Sequence, residues 1–322
     1  MRVVFMGSAD VSCTMLEALL RAPGIRVAGV VAQPDRPAGR HRSLTPCPGK
    51  RLAVERGLPV ITPEKVNSEE SLAQLAAWVP EVIVVVAYGQ FLGKRLLALP
   101  PHGCVNIHLS LLPRHRGAAP VQWAIASGDA VSGVTAMLMD RGMDSGDILA
   151  QIDAPIRPDD TAETLYQRLA PLGADLLVRT LADLAVGRAQ RTPQDPSRVT
   201  FAAKLKKEDG RINWSLPAEQ IARRVRGFNP WPACYTTLPA RLRTKDHAGR
   251  LKVLRAEVCV CVSANTLPFG MLIDCNHDGP LIQTGQGGLR LTSVQLEGGK
   301  PLTGQAFLCG HALWPNDRFG EP

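Results

Sequence analysis

Apolar positions along the first half of the chain alternate between two kinds of spacing. Arg2–Met6 is a short apolar run that stops at Gly7, Ile25–Gln33 is β-branched and apolar, and Val82–Ala87 is a continuous Val/Ile run. All three read as strands, and the last, continuous in Val and Ile, predicts a strand buried on both faces. Shorter strands are predicted at Pro59–Thr62, Gly103–His108, Gly133–Met139 and Ile148–Ile156. Between them, Val11–Arg21, Lys50–Gly57 and Ala118–Ser127 carry helical spacing, and Thr161–Val186 reads as a long helix stopped by Gly187. Strand and helix signals in alternation predict a doubly wound α/β sheet.

The pattern changes after Arg188. From there to Val199 the chain is polar and contains Pro193 and Pro196, as expected of a linker. Beyond it Glu219–Arg226 has helical spacing, and the rest is short β-type runs at Leu251–Val262, Met271–Cys275, Leu281–Thr284 and Leu289–Leu296, separated by Gly, Asn and Asp. A small β-barrel is the natural expectation. The predicted organisation is a first domain over residues 1–189, a linker over 190–206 and a second domain over 207–322.

Composition and length narrow the picture further. A chain of 322 residues suits two domains better than one core. Its longest apolar run, Val82 to Tyr88, falls far short of the ~20 residues that a bilayer span needs. The opening residues Met1–Gly7 read as a first strand and not as a secretory leader. The eight cysteines are scattered with no C-x-x-C pair, so reduced thiols in a cytoplasmic protein are expected, with no metal and no disulfide framework. The formal net charge is +8, and Lys204–Glu257 alone holds thirteen Lys/Arg against five Asp/Glu. A basic segment of this kind is either a platform for a polyanion or a solvated face.

The sharpest candidate chemistry is Asn106-Ile107-His108 at the end of a predicted strand. Residues two apart on a strand share a face, and in open α/β sheets the carboxyl ends of strands border the ligand crevice. An amide donor beside an imidazole can stabilise an oxyanion and manage a proton; the same pair can also be structural. Ser110–Pro120 follows, a Pro- and Gly-bounded loop holding Arg114 and Arg116. Asp140–Leu149 is a tight acidic loop from which Asp144 can reach the Asn106/His108 pair, although Asp and Gly are also ordinary turn residues. Gln33–Arg42 is a basic loop after a strand end, either a substrate grip or a plain connection. A nicotinamide site is excluded at the first turn, where Gly7–Ser12 lacks G-x-G-x-x-G. Neither a phosphate-binding G-x-x-x-x-G-K-[ST] nor a G-x-S-x-G nucleophile elbow occurs.

Taken together these segments resemble the methionyl-tRNA formyltransferase family over nearly the whole chain. The matching strings are Val30–Arg40, Val84–Gln90, Asn106–His108 running into Ser110–Pro120, Met143–Leu149, Lys204-Leu205, Gly210–Trp214 and Arg226–Pro232. The chain departs from the family's usual residues at Ser8–Val11, Gly49, His115 and Trp123. The resemblance implies a Rossmann-like catalytic domain and an OB-like barrel that helps hold tRNA. It implies 10-formyltetrahydrofolate as cosubstrate, methionyl-initiator tRNA as acceptor, no metal, no membrane and a monomer. Asn106, His108 and Asp144 are then the catalytic trio: Asn106 and His108 stabilise the oxyanion formed as the methionine amine attacks the formyl carbon, with Asp144 supporting His108. Ser110, Leu111, Leu112, Pro113, Tyr88 and Gln90 become folate candidates. Arg36, Arg40, Arg42, Lys204, Lys206, Lys207, Arg223 and Arg224 become tRNA candidates. Sugar-nucleotide and glycinamide-ribonucleotide formyltransferases and a formyl-folate hydrolase share the trio. A non-catalytic RNA-binding protein would explain the charge but not the trio.

Overall fold

A computed structural model describes residues 1–38, 43–243, 249–259, 267–276 and 278–320; Arg40 and Arg42 therefore lie outside the described residues. The chain forms β1 (Arg2–Gly7), α1 (Asp10–Arg21), β2 (Arg26–Val31), the small antiparallel pair β3 (Arg36–Ala38) and β4 (Ser43–Thr45), α2 (Pro48–Glu55), β5 (Val60–Ile61), α3 (Glu69–Ala77), β6 (Val82–Val86), α4 (Lys94–Leu97) and β7 (Cys104–His108). It continues through β8 (Arg116–Gly117), α5 (Pro120–Ser127), β9 (Val131–Leu138), β10 (Ile148–Pro155), α6 (Ala162–Ala185) and β11 (Phe201–Ala202). These elements and the rest of the chain fold into two compact units. The first comprises Met1–Pro120, Val131–Pro155 and Tyr166–Ala202; the second comprises Val121–Ala130, Ile156–Leu165 and Ala203–Pro322.

The first unit is built on a seven-stranded sheet of order β10-β9-β7-β6-β1-β2-β5. Strands β5, β2, β1, β6 and β7 run parallel. The chain winds outward from β1 through β2 to β5, then crosses back to β6 and β7, so the winding reverses between β1 and β6. That is the Rossmann-like arrangement in which ligands bind beyond the carboxyl ends of the strands. Every residue of β6 is buried, which is why its sequence is Val82-Ile83-Val84-Val85-Val86 with no polar alternation. Doubly wound alternation holds only as far as β7: β9 pairs with β7 antiparallel, and β10 with β9 likewise. The physical reason at β9–β10 is the connection, which is too short for the crossover helix that a parallel pair needs.

The second unit contains α7 (Ala218–Gly227), β12 (Cys234–Thr237), β13 (Arg250–Cys259), β14 (Leu272–Asn276), β15 (Gly279–Gln283), β16 (Gly288–Leu296), β17 (Pro301–Thr303) and α8 (Gly304–Gly310). Its sheet is antiparallel, of order β12-β13-β16-β15-β14, with β17 also on β16. Among the described residues the sheet does not close into a barrel. The amphipathic α7 buries Ile221 and Val225 and packs on β13 and β16. Within this unit Trp123 Nε1 donates to the Ala203 carbonyl at 2.9 Å, and its ring meets Phe228 edge-on at 5.5 Å. Helix α8 escapes sequence reading because seven residues that begin and end with glycine carry no period; it is started by the Thr303 hydroxyl, which accepts from Ala306 N. No helix among the described residues is long and apolar enough to cross a membrane.

Candidate active site

Strand β7 ends between β6 and β9, with Asn106 opposite Met137 and His108 opposite Thr135. The pleat sends both side chains to one face. His108 is 6% exposed, and an oxygen faces each of its ring nitrogens. Nε2 lies 2.9 Å from the His115 carbonyl, and Nδ1 lies 3.6 Å from Asp144 Oδ2. Every N–H this ring carries therefore has an acceptor within reach. Asn106 Oδ1 is buried with no hydrogen-bond partner. Structures seldom leave a buried acceptor unmatched, so this oxygen is free to accept a hydrogen bond from a group that enters beside the imidazole.

Asp144 reaches the site from the β9–β10 connection. Its backbone is left-handed at φ 50°, and its Oδ2 also accepts from Gly117 N at 2.8 Å. The loop closes because Gly146 has no side chain; a Cβ there would sit 1.7 Å from the Leu138 carbonyl oxygen. The Asp/Gly composition that sequence reading allowed as ordinary turn chemistry is the means by which the carboxylate is delivered.

The Ser110–Pro113 loop leaves β7 directly beside the trio and is held by two residues that sequence reasoning missed. Thr135, fully buried on β9, donates to the Ser110 carbonyl at 2.6 Å and accepts from Leu112 N at 3.1 Å. Gln151 Nε2 donates to Thr135 Oγ1 and to the Leu112 carbonyl. The Ser110 hydroxyl itself donates to the Arg114 carbonyl at 2.7 Å. Neither Thr135 nor Gln151 lies in a motif; they register only through the pairing of β7, β9 and β10.

The two other folate candidates are occupied within the fold. Tyr88 packs in the core with Val4, Met6, Val31 and Leu96, and its buried hydroxyl has no partner, so burial pushes its pKa above the usual phenol range. Its carbonyl accepts from Gln33 Nε2 and the Ser8 hydroxyl. Gln90 clamps two loops, accepting from Val66 N at 2.9 Å and donating to the Pro63 carbonyl at 3.0 Å. Of the tRNA candidates, Arg36 is an exposed partner of Glu64. Lys204, Lys206 and Lys207 are exposed, Arg223 pairs with Glu219 one turn earlier on α7, and Arg224 is half-buried on the same helix. Among the described residues no cluster of three or more His, Cys, Asp or Glu is placed to hold a metal.

Residues 1–181 match the formyl transferase model, and residues 204–312 match the C-terminal domain of formyl transferases. The chain is 43% identical over 319 residues to a methionyl-tRNA formyltransferase of Geobacter metallireducens, covering 99% of this chain and 98% of the relative. It is 45% identical to that of Pseudomonas paraeruginosa, covering 94% and 93%. The chain belongs to the methionyl-tRNA formyltransferase family. The trio and its loops all lie inside the first matched range. Solved structures with the same fold include the sugar 3N-formyl transferase WlaRD, with a TM-score of 0.62 and 14% identity over 90% of this chain and 96% of that one. An N-formyltransferase of Helicobacter canadensis superposes with a TM-score of 0.61 at 16% identity, covering 89% and 97%. At such identities the likeness concerns the fold alone, and the departure at His115 from the family's usual residue leaves untouched the backbone carbonyl that His108 meets.

Proposed function

We propose that this chain transfers the formyl group of 10-formyltetrahydrofolate to the α-amino group of methionine carried by initiator tRNA, supplying formylmethionyl-tRNA for translation initiation in the cytoplasm. The observation that carries the reading is the joining of Asn106, His108 and Asp144 at the end of β7, in a chain similar along its whole length to proteins of that name. Asn106 offers its amide to the oxygen that becomes negative as the amine adds. His108 is the second donor to that oxygen once the forming oxyanion takes the place of the His115 carbonyl at Nε2, and Asp144, facing Nδ1, orients the ring. Donors set in advance for a developing oxyanion are among the largest catalytic contributions. The Ser110–Pro113 loop is the folate-facing wall, with Leu111 and Pro113 as its apolar side and Tyr88 and Gln90 acting through the backbone they hold.

The second role falls to the basic stretch. Residues 1–189 carry the chemistry, 190–206 connect, and 207–322 hold tRNA, with the antiparallel sheet read as OB-like. Lys204, Lys206, Lys207, Arg223 and Arg224, with Arg36, Arg40 and Arg42, meet phosphates, and the chain acts as a monomer. The test supplies formyl-folate with methionyl-initiator tRNA, uncharged initiator tRNA, glycinamide ribonucleotide or an amino-sugar nucleotide in turn. Formylation confined to the charged tRNA is the expected result. Transfer to a small amine, or release of formate with no acceptor, overturns the reading.

A further inference from the structure

The segment between the two family-matched ranges holds one side chain whose bonding is complete. Gln194 Nε2 donates to the Asp144 carbonyl at 2.9 Å and to the Gly146 carbonyl at 2.8 Å. Its Oε1 accepts from Arg116 Nε at 3.0 Å and from Arg116 Nη2 at 2.8 Å. An amide has two N–H donors and two acceptor lone pairs, and here all four are used.

The four bonds converge on the surroundings of His108. On one side they fix the backbone of Asp144, whose carboxylate faces Nδ1. On the other they fix Arg116, flanked by His115, whose carbonyl faces Nε2, and by Gly117, whose N–H donates to Asp144. The strand-like stretch around Gln194 is registered on both loops. Thr192 exchanges two backbone hydrogen bonds with Ile148, at 2.8 and 2.9 Å. Thr200 accepts from His115 N through its hydroxyl and from Arg116 N through its carbonyl.

We propose that Gln194 is a positioning residue that sets the spacing between the Asp144 carboxylate and the His108 ring by tying the loops that carry both of the ring's acceptors. It touches no reacting atom and acts through Asp144 and Arg116. The inference rests on the formyl-transfer reading only for the choice of assay; its object is the trio, whatever amine the trio serves.

The experiment uses the full chain with Gln194→Met, of similar length with no polar atoms, and Gln194→Glu, which keeps an acceptor for Arg116 but turns a carboxylate oxygen on two carbonyls. Misplacement of a catalytic group by a fraction of an ångström lowers turnover by roughly tenfold to a hundredfold. We expect that loss in kcat for both variants, with KM for formyl-folate and for charged tRNA within about twofold of wild type. In an Asp144→Asn background Gln194→Met should change kcat by less than about twofold, because residues acting through one another are not additive. Imidazole nitrogen resonances supply a readout without activity: those of His108 and His115 should shift in Gln194→Met while the other histidines stay, whereas an unfolded protein would move all seven. Unchanged kcat, full additivity with Asp144→Asn, or an unmoved His108 resonance overturns the proposal. A wild-type chain that formylates no charged tRNA overturns the function reading instead, and the histidine resonances still decide on Gln194.

Discussion

Asn106 and Asp144 differ in what removing each side chain should do to the folded chain. The buried Asn106 oxygen has no partner, so Asn106→Ala deletes an unmatched polar atom, which is nearly neutral for stability. Its turnover should fall by roughly 10²–10³ with no loss of melting temperature. Steady-state formylation beside thermal unfolding checks this, and a variant destabilised in proportion to its lost activity would make Asn106 structural. At Asp144, asparagine is the clean substitution because it tolerates the left-handed backbone, whereas alanine adds backbone strain to the loss of charge. Asp144→Asn should keep the fold and lose activity. Cys104, buried on β7, supplies a pH test. Burial raises its thiol from an ordinary 9.0 to about 12. The folded chain then keeps a proton that the unfolded chain releases, so stability is full below about pH 9 and declines as pH rises toward 12. Cys104→Ala should flatten that alkaline decline, measured as urea midpoints at pH 8 and pH 10.5; an equal decline in the variant would refute it. The trio was legible at this scale because period-two spacing puts Asn106 and His108 on one face. Gln194 was not, because a glutamine among prolines carries no period and gains meaning only from what it touches.

Among the elements, strands were the more legible. Val82–Val86 could only be a strand buried on both faces, and Ile148–Pro155 was foreshadowed to within a residue. Short elements, β12 and α8 above all, depend on their partners and left no pattern to read. The same holds for support of the Ser110–Pro113 loop. Its hold on β9 is the Thr135 hydroxyl, so Thr135→Val keeps the shape and strands two polar groups, the Ser110 carbonyl and the Leu112 N–H, while Gln151 keeps its bond to the Leu112 carbonyl. Each group left unmatched costs about 1–3 kcal/mol, partly recovered where water enters. The expected outcome is a lower melting temperature and a KM raised several-fold for formyl-folate, with KM for charged tRNA little changed. Equal effects on both substrates would mean that the loop does not form the folate wall.

For the whole molecule, charge supplies a test of the proposed division between chemistry and tRNA holding. Phosphate contacts make log K fall by about 0.9 per neutralised phosphate for each tenfold rise in salt. Reversing Lys206 and Lys207 together, both exposed, should lower the salt slope of initiator-tRNA binding by roughly one to two and leave formyl-folate binding unchanged. An unaltered slope in a salt-series titration would remove the basic stretch as the tRNA platform. The segments Val121–Ala130 and Ile156–Leu165 belong to the second unit although the chain returns to the first unit after each of them. Trp123 there meets Ala203 and Phe228, and the Asp160 carbonyl receives Arg226 at 2.9 Å. Recombination between relatives at a single crossover near residue 203 would therefore part Trp123 from Phe228 and Asp160 from Arg226. A chimaera that inherits a foreign second unit should regain full stability only when those two upstream stretches come from the same parent.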